Sequence, residues 1–316
     1  RVHLGRNGEA VFVHSHDGIF TCADHREHGL RCGKHALVEE AGRVSETSAQ
    51  IALACAPDQL VVVGDEKQMS ARMKAPAVKK MKVLPLFHRL RQFVPTVQLQ
   101  VQMRMPAACA TPSNQQFYES SLRAHPDVEE ARYKDNAASR LWTNAAAPIT
   151  WIHTQHAESR PDGSSSTQNI GESLECVNLV KHIVNGGYFS QQDITVISVY
   201  AAHIQRVKID MNNHKLPHVK ASTVRKYQGM QNKIILLCVV RDHSIQGEFI
   251  LDSGQLNVAL TRCTHANIVI GDAKVACLLG DDWKGTCTTM QGIGGSLRNY
   301  QQLPKLNNSG SVISDD

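Results

Sequence analysis

Gln255-Leu256-Asn257-Val258-Ala259-Leu260-Thr261-Arg262 ends on an arginine and leads into the apolar stretch Ala266-Asn267-Ile268-Val269-Ile270-Gly271. Taken alone, the first run also fits an ordinary amphipathic helix with a charged tip. The rest of the chain supplies its context. Short apolar runs stand at Ala36-Leu37-Val38, Leu60-Val61-Val62-Val63, Ile194-Thr195-Val196-Ile197, Lys233 to Val240 and Ile268-Val269-Ile270, each bounded by glycine or charge. Apolar on successive positions, they predict strands covered on both faces of a parallel sheet. Helical patterns lie between them. From Glu172 to Val184, residues Leu174, Val177, Leu179, Val180 and Val184 fall near helical spacing, and Asn185-Gly186-Gly187 supplies a stop. Strands alternating with helices predict an α/β doubly wound fold.

The 316 residues suggest two domains of ordinary size, and a hydrophobic fraction of 42% is enough for real cores. No stretch approaches the roughly 18 uninterrupted apolar residues that a membrane helix needs, so no membrane partner is expected. The chain begins at Arg1 rather than Met, and the absence of a targeting signal therefore carries no weight. Its formal charge of +5, with 16 histidines in reserve, permits nucleic-acid binding without demanding it. Nine cysteines, scattered from Cys22 to Cys287, form no disulfide framework. They point to a reducing, intracellular compartment, cytoplasmic or nuclear. Ser159 to Ser173, with Pro161-Asp162-Gly163-Ser164-Ser165-Ser166 inside it, reads as a flexible surface loop. Beyond about Gly292 the chain is rich in Gly, Ser and Asn and reads as a mobile tail. No internal repeat is visible.

Six segments, in order, carry a resemblance: VEEAGRVSE (38–46), VVVGDEKQ (61–68), LQVQMRM (99–105), ITVISVY (194–200), STVRKYQGMQNKIILLCVVR (222–241) and LNVALTR (256–262). Together they resemble the second half of a superfamily 1 helicase motor of the up-frameshift class, the motors of nonsense-mediated decay. The phrases QNKIILL and LQVQ are similar to the zinc-finger-bearing helicases of that class. The resemblance covers residues 36–285 and implies a RecA-like P-loop NTPase fold, with parallel sheets covered by helices on both faces. It divides the chain into the C-terminal part of a first RecA-like domain (1–95), a complete second one (96–285) and a flexible tail (286–316). In such motors ATP, with Mg²⁺, sits in the cleft between the two domains.

A nucleoside triphosphatase needs a metal-holding carboxylate at a strand end and a second carboxylate to orient water. The strand Ala36–Val38 delivers Glu39 and Glu40 at its carboxyl edge, where α/β sheets bind ligands. The family has Asp-Glu-Ala here, so Glu39 is one methylene longer than the expected metal ligand. Gly64-Asp65-Glu66-Lys67-Gln68 resembles the G-D-x-x-Q segment, which implies that Gln68 senses the γ-phosphate and Asp65 relays nucleotide state. Gly64 suits a tight exit from a strand. Gln102-Met103-Arg104-Met105 is similar to Q-Y-R-M, which implies a phosphate contact for Arg104 and leaves a thioether where the family stacks a ring on adenine. Arg262 matches the last arginine-bearing motif, an arginine finger in the family.

The stretch Ser222-Thr223 to Tyr227-Gln228-Gly229 resembles the segment that couples nucleotide state to the nucleic-acid track. The family usually has Asp where Arg225 stands and a ribose-binding Glu where Gln231 stands; Gln231 can still hydrogen-bond a ribose hydroxyl, without charge assistance. Ser198-Val199-Tyr200 departs from T-P-Y, and His203 takes the usual glutamine position. Hydroxyls and amides of these two segments, Ser198, Tyr200, Ser222 and Thr223 among them, are expected to hold a single strand by its phosphates. Two further patterns compete. Gly29-Leu30-Arg31-Cys32-Gly33-Lys34-His35 looks like a phosphate loop but has the wrong spacing and precedes a strand. Cys22, His25, His28, Cys32 and His35 have the density of a zinc site, in a region the family uses as ordinary sheet and loop.

The resemblance thus implies the C-terminal portion of an ATP-dependent helicase acting on single-stranded nucleic acid, RNA in preference to DNA. Without a phosphate loop, these residues alone are expected to be inactive. The alternative is a helicase-derived binding or scaffold protein that no longer hydrolyses ATP, which the altered Glu39, Met103, Arg225 and Gln231 favour.

Overall fold

The computed structural model describes residues 12–14, 19–24, 31–32, 35–46, 48–49, 59–70, 85–128, 148–242, 252–294, 296–297, 305–306 and 312–313. The chain forms two compact units, Arg1–Gln98 and Leu99–Asp316. The sequence reading puts the junction three residues earlier.

In the first unit, β1 (Phe12–His14), β2 (Ile19–Asp24), β3 (Arg31–Cys32), β4 (His35–Val38) and β5 (Gln59–Val62) share one sheet. β2 pairs antiparallel with β1, β3 and β4, whereas β4 and β5 run parallel with Val38 opposite Val62. Helix α1 (Leu86–Leu90) comes next, and its Leu86 is buried with Val38, Ala41, Val44 and Ala49. Two-sided cover does not extend to β5. Its side chains alternate, and Val61 is 53% exposed.

The second unit opens with β6 (Val101–Gln102), α2 (Ala107–Phe117) and β7 (Arg123–Ala124), β6 and β7 pairing with each other. Its main sheet contains β8 (Ile149–His153), β9 (Ile194–Ser198), β10 (Lys220–Thr223), β11 (Asn232–Cys238), β12 (Cys263–Gly271) and β13 (Ser296–Leu297). They lie in the order β10-β9-β11-β12-β8-β13, every pairing parallel. The unbroken runs Ile194–Ile197 and Ile234–Leu237 are fully buried, as a sheet covered on both faces requires. Helices α3 (Ile170–Asn185), α4 (Ala201–Asn213), α5 (Val224–Tyr227), α6 (Ser253–Leu260), α7 (Ala273–Leu278) and α8 (Asp281–Gly294) complete the unit.

On one face of this sheet, Ile234, Leu236 and Cys238 of β11 pack with Cys176, Val177 and Val180 of α3 and Val207 and Met211 of α4. The alternate side chains of β11, Ile235 and Leu237, are equally buried on the other face. The α3 stripe is Cys176, Val177, Leu179, Val180 and Ile183; Leu174, expected in it, is 40% exposed. Asn169 caps α3 by accepting from the Glu172 amide at 3.0 Å, and Gly187, at φ 71°, turns the chain away after it.

Two expectations need correction. The segment Ser159–Ser173 is not a loop throughout: Ser159 bridges Gln168, Thr167 and Asn169 are buried, and α3 begins at Ile170. Nor does a flexible tail begin at residue 286, because α8 runs on to Gly294. Trp283, Thr286, Cys287 and Met290 recur at helical spacing and are buried, and Trp283 meets Trp151 of β8 edge-on at 6.4 Å. Apolar anchors scattered among polar residues drive this helix, so the polar composition around it misleads.

Candidate nucleotide and nucleic-acid site

Parallel strands deliver their carboxyl ends to one edge of a sheet, and the motif residues gather at such edges. In the first unit, Glu39 and Glu40 lie just past β4 while Gly64 and Asp65 lie just past the neighbouring β5. Both glutamates are exposed, and Glu40 takes a left-handed conformation (φ 53°, ψ 35°) as the chain enters a short 3-10 turn at Ala41–Arg43. The two strand exits pack backbone to backbone: Ala41 N–H donates to Val63 O at 2.9 Å. A Cβ on Gly64 would lie 2.9 Å from Gly42 N, and one on Gly42 would lie 2.7 Å from Asp65 O. Gly64 is therefore demanded by this close approach, in line with the expected tight exit. The Asp65 carboxylate accepts from the Lys67 amide and from the Gln68 carboxamide, both at 2.9 Å, so Asp65 and Gln68 form one oriented unit. Beside them Arg91 pairs with Glu66 and holds that carboxyl below the usual range.

In the second unit, Gln102 folds the 102–105 bend around itself. Its side-chain oxygen accepts from the amides of Arg104 (2.9 Å) and Met105 (2.8 Å), and its nitrogen donates to Met105 O. The bend aims Arg104 at two distant segments: its Nε donates to Gln231 Oε1 at 2.9 Å and its Nη1 to Thr261 O at 3.0 Å. Thr261 in turn accepts from Arg262 Nη2 at 2.8 Å through its hydroxyl, while Arg262 Nε donates to Val258 O at 2.9 Å. Arg104, Gln231, Thr261 and Arg262 are thus one hydrogen-bonded chain. Arg104 is half-buried and Gln231 exposed, but Arg262 is only 2% exposed, its fork turned toward the end of α6. Met103, in the ring position, is 70% exposed. Gly229, at φ 79°, makes the left-handed turn between α5 and β11.

β9 and β10 pair so that Thr223 lies opposite Ser198, which places the two expected strand-holding segments side by side. Their side chains differ. Ser222 and Thr223 are half-buried. Ser198 is fully buried, its hydroxyl donating to Cys238 O at 3.2 Å, and Tyr200 is 4% exposed, its phenol hydrogen-bonded to Arg241. Burial keeps the Tyr200 hydroxyl above its ordinary pKa. Inward-turned side chains leave only backbone groups of Ser198 and Tyr200 for a ligand.

Sequence reading missed the polar scaffold beneath this edge. The Asn169 carboxamide donates to His156 O and Val240 O, and Glu172 accepts from Val240 N–H at 2.8 Å, together clasping Val240 at φ 73°. His203 Nδ1 accepts from the Asn169 amide, and burial pushes that imidazole down to about 4 and the Glu172 carboxyl well up. Arg241 pairs with Glu158 at 2.9 Å. An asparagine three residues ahead of a glutamate at a helix start was the available signal. The Gly29–His35 pattern and the Cys/His group at 22–35 fall largely outside the described residues, and their side chains wholly so. The six cysteines whose side chains are described, Cys109, Cys176, Cys238, Cys263, Cys277 and Cys287, are free thiols. No described helix is long and apolar enough to cross a membrane.

Residues 84–274, more than half of the chain, match the AAA domain family. A regulator of nonsense transcripts 1 homolog of Neurospora crassa is 31% identical over 77% of this chain and 23% of its own length. An ATP-dependent helicase upf1 of Schizosaccharomyces pombe is 29% identical over 77% of this chain and 27% of its own. The chain belongs to the Upf1-like superfamily 1 helicases. A Xenopus laevis DNA replication ATP-dependent helicase/nuclease DNA2 is also similar, at 26% identity over 74% of this chain and 24% of that one. This helicase chain therefore spans about a quarter of the length of these curated relatives. The all-parallel, helix-covered main sheet of its second unit is the RecA-like α/β fold of the family.

Proposed function

We propose that these residues form the C-terminal portion of an ATP-dependent motor that moves along single-stranded nucleic acid, RNA in preference to DNA. One observation carries the reading: Arg104, Gln231 and Arg262, from three separate motifs, join in a single hydrogen-bonded chain through Thr261. A guanidinium offers a planar fork suited to phosphate oxygens, and two of them on one network suit a polyphosphate. Glu39, an oxygen donor at a strand end, fits a hard cation such as Mg²⁺, which when bound neutralises phosphate charge. Glu40 would orient the attacking water and Gln68, set by Asp65, would contact the terminal phosphate. Gln231 would reach a ribose hydroxyl, and Gly64 and Gly229 keep side chains out of the two turns. Ser222 and Thr223, with the backbone of Ser198 and Tyr200, would hold strand phosphates. Free thiols suit an intracellular, reducing setting, cytoplasmic or nuclear.

The departures at Glu39, Met103, Arg225 and Gln231 favour a second reading, a scaffold without turnover. Phosphate release from Mg²⁺-ATP, measured on a protein that joins these residues to a phosphate loop, separates the two. The motor reading expects stimulation by single-stranded RNA and its loss in Glu40→Gln; an unstimulated, Glu40-independent signal rejects it.

A further inference from the structure

Strand β10 ends the main sheet, pairing on one side with β9. Against it lies a groove of about 430 Å³ whose floor is apolar, with Met211 and Leu216 buried and Met230 45% exposed. Asn212 and Ser222 supply polar groups, and Lys208 and Lys220, both exposed, stand in its lining. An apolar floor with few oriented polar groups is the make-up of a small-ligand site, and a base has a flat apolar face with a polar edge.

Charge supplies an independent argument. Residues 206–226 hold six cations, Arg206, Lys208, Lys215, Lys220, Arg225 and Lys226, against one acid, Asp210. That one acid is not at the surface: Asp210 is 2% exposed, accepting from Ser173 at 2.7 Å and from Arg206. The stretch thus matches in 21 residues the formal +5 of the whole chain. With Asp210 buried and paired to Arg206, the exposed charges of this stretch, Lys208, Lys215, Lys220 and Lys226, are all cationic, which favours a polyanion.

We infer that this groove is a nucleotide subsite. One base of single-stranded nucleic acid lies on the apolar floor, and the phosphates flanking it pair with Lys208 and Lys220. The strand would pass from Thr223 at the carboxyl end of β10, through Ser222, along the edge of β10 that no other described strand pairs with. This rests on the strand-binding part of the proposed function and adds a site at the sheet edge to the strand-end contacts.

The test is fluorescence anisotropy with the 316-residue chain, a labelled single-stranded oligouridine and an abasic strand of equal length. Wild type should bind the base-bearing strand about tenfold more tightly than the abasic one. Lys208→Ala/Lys220→Ala should lower the log–log salt slope by about 1.4, or roughly 0.7 for each phosphate no longer neutralised. Met230→Ser, at an exposed position that leaves folding intact, should erase the preference for bases, whereas Thr223→Val should weaken both strands and preserve it. Equal binding of the two strands by wild type, an unchanged slope in the lysine variant, or displacement by polyglutamate as effective as by unlabelled oligouridine would each overturn the subsite. If strands still bind in those cases, the motor reading stands. Failure of wild type to bind any single strand removes both; strand binding with no ATP turnover in a protein that joins these residues to a phosphate loop removes the motor reading alone.

Discussion

Arg104 Nε donates to Gln231 Oε1 at 2.9 Å across 127 positions of sequence, joining a bend after β6 to the turn before β11. The same guanidinium reaches Thr261 O, whose residue also receives Arg262. In the family resemblance a ribose-binding glutamate stands where Gln231 is, and here its neutral counterpart orients Arg104, the arginine to which the proposed function gives a phosphate contact.

Removing that hydrogen bond should act on nucleotide binding before chemistry. Gln231→Ala, in a turnover-competent protein, should raise KM for ATP about tenfold, the scale of one hydrogen bond to a charged group, with a smaller change in kcat. Gln231→Glu restores the acceptor with charge assistance and should return KM to the wild-type value or below. Steady-state kinetics check both; equal KM for all three proteins would detach Gln231 from the site.

Arg262→Ala should lower strand-stimulated ATP turnover by about three orders of magnitude, the scale of an arginine finger. Nucleotide-free strand binding should change little. Because Arg262 is buried and bonded to Val258 O and Thr261, circular dichroism must first show a native fold. Turnover within a few-fold of wild type would place Arg262 in a structural role only.

The 316-residue chain by itself should release phosphate from Mg²⁺-ATP no faster than background. No segment of it has the G-x-x-x-x-G-K-[ST] spacing: Gly29 and Gly33 are too close together, and His35 stands where a Ser or Thr is needed. Steady turnover abolished by Glu40→Gln would show a complete site without that loop.

Acid should destabilise the second unit through His203. Burial holds its folded pKa at about 4 against 6.5 unfolded, with Asp210 opposing. Between those values the unfolded chain takes up a proton that the folded chain refuses, so stability is full above 6.5 and falls as pH drops toward 4. The span corresponds to roughly 3 kcal/mol. The neighbouring Glu172, raised by burial, acts with the opposite sign, so the comparison is made against His203→Gln, which keeps Glu172. Urea midpoints between pH 7 and 4.5 should fall more steeply for wild type; parallel curves would mean that His203 is hydrated.

By itself the sequence determined the parallel sheet. Ile234–Val240 is apolar at every position and Ile194–Ile197 at all but Thr195, the pattern of strands buried on both faces, and the helical patterns between such runs make the sheet parallel. Gly64 was legible too, because a close backbone approach leaves a glycine as its trace. The helix Glu172–Val184 was legible in extent, yet Leu174 proved exposed while Cys176 joined the stripe. Period alone does not say which side of a helix a sheet will cover.

Tertiary structure alone decided where polar side chains point. Ser198 and Tyr200 sit in the segment that family resemblance assigns to the strand, but both side chains turn inward to Cys238 O and Arg241. Buried polar groups need partners, and those partners lie about 40 residues away in sequence. The clasp of Asn169 and Glu172 on Val240, and the chain from Arg104 through Thr261 to Arg262, have the same origin. Periodicity reports which residues leave water; long-range hydrogen bonding, visible only in the folded chain, determines which of them meet.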